Sequence, residues 1–246
     1  MLAIIGGSGL DQWAQVEAEG PVLETPYGQC SAAIEKIRQD MGQALFLPRH
    51  GRGHTLAPHK VNYRANLWAL REAGAQKIVA VCAVGSIRDV WTPGTLVLPD
   101  QIIDYTWGRQ HTYFDDNAVP PQHVDFTNPF SETLINQLSA VAAKAQVSME
   151  VGGIYGATQG PRLESAAEIN RLARDGVDLV GMTGMPEAAL ARELALEYVI
   201  LAVVANPAAG RGKGSPISLS NIQAVLGHAM IDVKTVLAGW ISLYGH

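Results

Sequence analysis

Cysteine is scarce in this 246-residue chain: Cys30 and Cys82 stand alone, and neither has a CxxC partner. Cys82 lies in an apolar stretch, where a thiol behaves as a small buried hydrophobe. Basic clusters are missing too. No run of Lys or Arg exceeds a pair and the net charge is -5, so no basic stripe is available to meet a nucleic-acid backbone. Nothing approaches the ~20 consecutive apolar residues of a membrane-spanning helix. The start, MLAIIGGSGLD, carries no basic segment or cleavage site of a secretory signal. Repeats and low-complexity segments are absent. These absences make the cytosol the simplest location. Charged residues are only 17% of the chain against 48% hydrophobic, which excludes a disordered chain. The length suits one α/β domain, 1–246, better than two.

What is present is a series of apolar runs that end in polar or glycine-rich turns. The fullest is Tyr198 to Ala205, rich in Val and Ile, as expected of a central strand covered on both faces. Pro207 should stop it, leaving Asn206 at the carboxyl end, where open α/β sheets bind ligands. Asn206-Pro207 reads either as a turn opener or as an amide that meets a planar heterocycle with both donor and acceptor. Leu2 to Ile5 is a short strand entering Gly6-Gly7-Ser8-Gly9, a plain glycine turn or an anion loop. The GxGxxG spacing of a dinucleotide site is missing.

Ala44 to Leu47 forms another strand before Pro48-Arg49-His50-Gly51-Arg52-Gly53-His54. Two arginines and two histidines among glycines are donors for phosphate or carboxylate, unless the loop is simply solvated. No carboxylate or Cys accompanies the histidines at metal-ligand spacing. Helices are expected over 62–73 and 131–145, strands over 77–84 and from Thr95 to Pro99. The aromatic stretch from Tyr105 to Pro129 is irregular, which favours function or an interface. Ser165 and Glu168 form a capping box, with Glu164 just ahead of that helix. Asp178 to Gly184 reads as a strand, where Thr183 could offer its hydroxyl to an anion before a helix starting near Pro186-Glu187. A Gly-rich loop spans Ala209 to Gly214, and Ser220 with Gln223 is expected to cap the last helix. Strands alternating with helices give an α/β sandwich.

GGSGLD, PRHGRGH, VNYRANLWALREAGA, GPRLES, DLVGMTGMPEAALARE and VANPAAG, in collinear order across nearly the whole chain, resemble the trimeric purine nucleoside phosphorylases. The branch that includes methylthioadenosine phosphorylase is nearest. The resemblance implies a mixed, distorted central sheet flanked by helices, a homotrimer, and phosphate displacing a purine from C1′ of a nucleoside. It calls for no metal or organic cofactor, inorganic phosphate being the co-substrate. It assigns phosphate to Ser8, Arg49, His50 and Thr183 with the Cys82-Ala83 backbone. Cys82 stands where relatives often carry Thr, so a hydroxyl contact is lost there. Met182 is implied against the ribose, and Leu163 over one purine face where relatives usually carry Phe.

Asn206, Ala208 and Glu164 stand where the resemblance puts base contacts, with Pro207 between the first two. Asn and Glu are the 6-oxopurine choice; adenine-type relatives have Asp, Asp and Ser. A carboxylate accepts N1–H of a 6-oxopurine and an amide NH₂ serves O6 and N7, whereas adenine offers the opposite pattern. Such a buried mismatch discriminates by ~10⁴-fold or more. At the sugar end, Ile222 replaces the usual His, with Leu219 beside it. An apolar wall there disfavours a 5′-hydroxyl and accepts a methylthio group. The same two residues also suit the buried face of a helix. The resemblance allows His123 to reach this pocket from a neighbouring subunit. Together these positions imply a 5′-methylthio nucleoside of a 6-oxopurine, with Asn206 as the catalytic side chain. An inosine or guanosine phosphorylase and an adenine-specific methylthio enzyme remain the alternatives.

Overall fold

The computed structural model describes the chain except residues 14, 15, 21, 116–119 and 213–216, and gives 17–19 by backbone alone. Lys213 and Gly214 of the expected Gly-rich loop and 116–119 of the aromatic loop therefore lie outside the described residues. The strands are β1 (Leu2–Gly6), β2 (Val16–Glu19), β3 (Glu24–Thr25), β4 (Gly28–Gln29), β5 (Glu35–Gln39), β6 (Gly42–Pro48) and β7 (Lys77–Ser86). They continue with β8 (Leu96–Leu98), β9 (Gln101–Asp104), β10 (Glu150–Val151), β11 (Ile154–Ala157), β12 (Leu179–Gly181) and β13 (Glu197–Pro207). The helices are α1 (Tyr63–Glu72), α2 (Glu132–Lys144), α3 (Ala166–Arg174), α4 (Gly184–Glu193) and α5 (Leu219–Tyr244).

The main sheet runs β10-β8-β13-β7-β1-β6-β5-β2, with β12, β11 and β9 branching from β7. Its centre is parallel: β1 lies between β6 and β7, and β7 pairs with β13. These central strands are nearly continuous buried apolar runs because helices cover both faces. The outer strands β5 and β6 pair antiparallel, as do β2 and β5. Mixed pairing and the branch at β7 give the distorted sheet that the family resemblance implies.

The branch makes the site possible. β1 stops pairing with β7 at Ile5 opposite Ala80, and β12 begins pairing on the same side only at Gly85 and Ser86. Between them β7 has no strand partner on that side from Val81 to Val84, and its backbone faces a notch. β13 reaches the notch from the other side through a register shift between Val204 and Asn206. Such a bulge re-aims a side chain and tolerates a proline. This is why β13 continues through Pro207 and not, as the sequence suggests, only to Ala205.

Local chemistry sets the helix starts. The Asn62 side chain accepts from the Ala65 amide, Ser131 accepts from the Leu134 amide, and Ser165 with Glu168 completes the capping box. The last helix departs from expectation. It begins at Leu219 with Ser218 as its N-cap and no side-chain cap, and the Ser218 and Ser220 hydroxyls bond each other instead. By length and composition α5 could cross a bilayer, which the sequence reading did not anticipate. Its buried residues from Leu226 to Ile241 instead pack on the sheet and α2, where the Trp240 indole N–H donates to Gln137.

Candidate active site

The carboxyl ends of β1, β6, β7, β12 and β13 converge on one cavity of about 460 Å³. Gly7, Ser8, Arg49, His50, Cys82, Ala83 and Thr183 line one part of it; Leu163, Glu164, Met182, Asn206 and Ala208 line another. Ile217, Leu219 and Ile222 close a third side. Residues scattered over most of the chain thus meet in one place, in a volume typical of small-molecule sites.

At the notch, Gly7 must be glycine because a Cβ would strike the Val81 carbonyl and crowd Arg49. Arg49 is fully buried, and its guanidinium is largely committed. Its Nε and Nη2 donate to the two oxygens of Glu187, each at 2.8 Å, and Nη1 donates to the Val81 carbonyl at 3.0 Å. Tyr198 donates a further hydrogen bond to Glu187 at 2.8 Å. Burial alone would lower the Arg49 pKa, but the Glu187 carboxylate overrides it and holds the guanidinium well above its usual value. Arg49 therefore enters the cavity wall as half of a neutral ion pair. Arg52, the second arginine of that loop, pairs with Glu35 at 2.6 Å and is not in the cavity wall.

His50 is nearly buried, and its Nδ1 lies 2.8 Å from the Leu56 carbonyl. A carbonyl only accepts, so Nδ1 carries the proton and Nε2 offers a lone pair. Burial, and secondarily the Arg49 charge, push its pKa down to about 3, so the ring is neutral at physiological pH. The His54 ring packs against it tilted by 34°, with ring centroids 4.3 Å apart, and joins the cavity wall. Thr183 precedes α4 without capping it, and its hydroxyl lies 3.3 Å from the Cys82 sulfur. Burial raises the Cys82 pKa, so it stays a thiol.

At the other part of the cavity, the Asn206 NH₂ donates to the Pro207 carbonyl at 2.7 Å. That bond fixes the amide plane and leaves a second N–H for a ligand. Glu164 accepts from the Thr158 hydroxyl at 2.6 Å. Met182 packs over Gly160, where any Cβ would collide with its sulfur. Leu163 and Leu219 sit on the rim, 44% and 76% exposed, whereas Ile222 is half-buried.

Two expected residues lie elsewhere. Pro207 lines an adjoining cavity and not this one, because the bulge turns it to the other side of Asn206. His123 is exposed and does not line this cavity. Several lining residues were not anticipated: Thr55 to Pro58, which follow the His50 turn, and Ile217. None belongs to a chemically distinctive pattern. The most consequential omission is Arg109. Its guanidinium donates to the carbonyls of Thr158, Gln159, Met182 and Met185, and its Cζ lies 5.6 Å from the Tyr63 ring centroid. One side chain thereby ties the two loops that present Glu164 and Met182-Thr183. Among the described residues no group of three or more His, Cys, Asp or Glu is disposed to hold a metal ion.

Known proteins of the same build carry related chemistry. Residues 1–242 match the Phosphorylase superfamily. A protein of Pseudomonas syringae pv. tomato named "Probable S-methyl-5'-thioinosine phosphorylase" is 48% identical over 241 residues, covering 98% of both chains. The 6-oxopurine nucleoside phosphorylase of Pyrococcus furiosus is 40% identical, covering 96% of this chain and 91% of its own length. In structure, methylthioadenosine phosphorylase from Schistosoma mansoni in complex with adenine superposes with a TM-score of 0.93 at 28% identity, covering 99% and 91% of the two chains. The chain belongs to the phosphorylase superfamily.

Proposed function

We propose that this chain is a pentosyltransferase that cleaves S-methyl-5′-thioinosine with phosphate to hypoxanthine and 5-methylthioribose 1-phosphate, in purine salvage. One observation carries the reading: Glu164 and Asn206 share a single cavity with Ile217, Leu219 and Ile222, and with the polar notch of Ser8, Arg49, His50 and Thr183. A carboxylate and an amide match the N1–H and the O6/N7 edge of a 6-oxopurine, and the aliphatic side suits a thioether. The names of the two sequence relatives above fit the same choice of base, while the structural relative, at 28% identity, is an adenine-binding enzyme.

In this mechanism the base leaves as the C1′–N9 bond breaks and a phosphate oxygen bonds to C1′. The free Asn206 N–H meets N7 as negative charge grows on the departing base, and Glu164 holds N1–H. Phosphate is held by the Ser8 and Thr183 hydroxyls and the backbone of Cys82-Ala83, beside the neutral Arg49–Glu187 pair. The His50 Nε2 lone pair, exposed by the tautomer that Leu56 fixes, accepts a hydrogen bond from the P–OH group of hydrogen phosphate, and as the phosphate oxygen bonds to C1′ that proton ends on the departing hypoxanthine. Met182 and Leu163 pack against ribose and base. No organic cofactor enters this scheme. A cytosolic homotrimer fits the reading, with His123 of one subunit serving its neighbour.

The test is release of free hypoxanthine from methylthioinosine with and without phosphate. Release only with phosphate supports the proposal; release without it indicates a hydrolase. A preference for inosine is the second reading, favoured by the exposure of Leu219, and comparing the two nucleosides decides between them.

A further inference from the structure

We propose that Thr158 is a positioning residue that sets base selection by orienting Glu164. The inference rests on the proposed function and identifies how its base-reading carboxylate is aimed. Thr158 directly follows β11, and its amide donates to the Gly181 carbonyl of β12 at 2.8 Å. Its hydroxyl has two acceptors in reach: Glu164 Oε1 at 2.6 Å and the same Gly181 carbonyl at 3.3 Å. A hydroxyl has one proton. The carbonyl is already served by the amide, and the shorter contact has the length of a charge-assisted bond. The proton therefore goes to Glu164.

Among the described residues Glu164 accepts no other hydrogen bond, and it sits in the irregular segment between β11 and α3, next to the exposed Leu163. The neighbouring cation, Arg162, is turned to Glu168 at 2.8 and 2.9 Å. Thr158 is itself held, by its amide on β12 and by Arg109 on its carbonyl, and a β-branched side chain has little χ1 freedom. With Oε1 turned to a fixed donor, Oε2 is left to face the ligand as an acceptor. That is the polarity a 6-oxopurine N1–H requires and an adenine N1 lone pair opposes. Without the hydroxyl, the long Glu164 side chain is free to leave that orientation.

The experiment measures kcat/KM for methylthioinosine and methylthioadenosine, and KM for phosphate, in the wild type, Thr158→Val and Thr158→Ser. The isosteric valine should lower kcat/KM for methylthioinosine about 10–100-fold, with less effect on the adenine nucleoside and little on phosphate KM. Serine, which keeps the donor, should restore the wild-type preference to within a few-fold. Combining Thr158→Val with Glu164→Ala should add nothing to the loss caused by Glu164→Ala alone. If the valine variant does not fold, Thr158→Cys, with its weak donor, carries the same comparison. Valine or cysteine variants with the unaltered wild-type preference would overturn the role of Thr158. A wild type that releases no hypoxanthine from methylthioinosine would overturn the function reading instead, and the two failures are distinct.

Discussion

Glu187 and His50 show what single residues contribute to this site. Glu187 is fully buried and accepts both Arg49 donors and the Tyr198 hydroxyl. Glu187→Gln leaves the Arg49 charge buried without its counter-ion, a situation that costs about 3–5 kcal/mol. Urea denaturation should register that loss, while Tyr198→Phe should lose only about 1 kcal/mol. His50 makes stability depend on pH in the opposite way from a salt-bridged histidine. The unfolded chain takes up a proton below the ordinary value of 6.5, whereas the folded ring resists until about pH 3. Acidification through that window therefore favours unfolding. The exposed Glu168, held down to about 2 by Arg162 and then by the Ser165 amide, adds its own loss only below pH 4.5. Between pH 6.5 and 4.5 the wild type should lose stability more steeply than His50→Gln; parallel slopes would contradict the buried neutral ring. In turnover, Asn206→Ala should lower kcat by about 10²–10³-fold and change phosphate binding little. Equal losses in both would remove Asn206 from its proposed role at N7.

At the scale of elements, the site is made by strand ends that part from one another. β7 loses β1 after Ala80 and gains β12 at Gly85, and the bulge in β13 presents Asn206 across that gap. Loops around the gap need a brace, and Arg109 supplies it through four backbone carbonyls. Arg109→Ala should cut kcat/KM for the nucleoside by about 10²-fold, as small misplacements of reacting groups do. Trp107→Ala, on the same segment but 72% exposed, should leave it unchanged. The central strands could be read from the chain because burial on both faces writes itself as unbroken Val, Ile and Leu. β2 to β5 could not, since short strands such as Glu24–Thr25 and Gly28–Gln29 carry no periodicity to detect. Arg109 was equally silent, because a side chain that serves backbone carbonyls needs no sequence partner. Asn206, Glu164 and Thr183 were legible through their places at strand and helix ends, and through resemblance. The commitment of Arg49 to Glu187 was not legible, since 138 positions separate the two.

For the whole molecule, the single chain leaves part of the proposed sugar pocket open. Leu219 and Leu163 are exposed on its rim, and His123 lies outside the cavity wall. A homotrimer would put a neighbour at that rim, so sedimentation should give three times the 26.3 kDa chain mass. His123→Ala should then weaken nucleoside binding without altering phosphate binding. The central claim is that one cavity reads a keto-purine with Glu164 and Asn206. A crystal structure with hypoxanthine and phosphate bound tests it most directly. The account predicts N1 of the base within about 2.7–3.2 Å of Glu164 Oε2, N7 at the same range from the Asn206 amide, and phosphate in the notch beside Ser8 and Thr183. Hypoxanthine bound away from both side chains would contradict it.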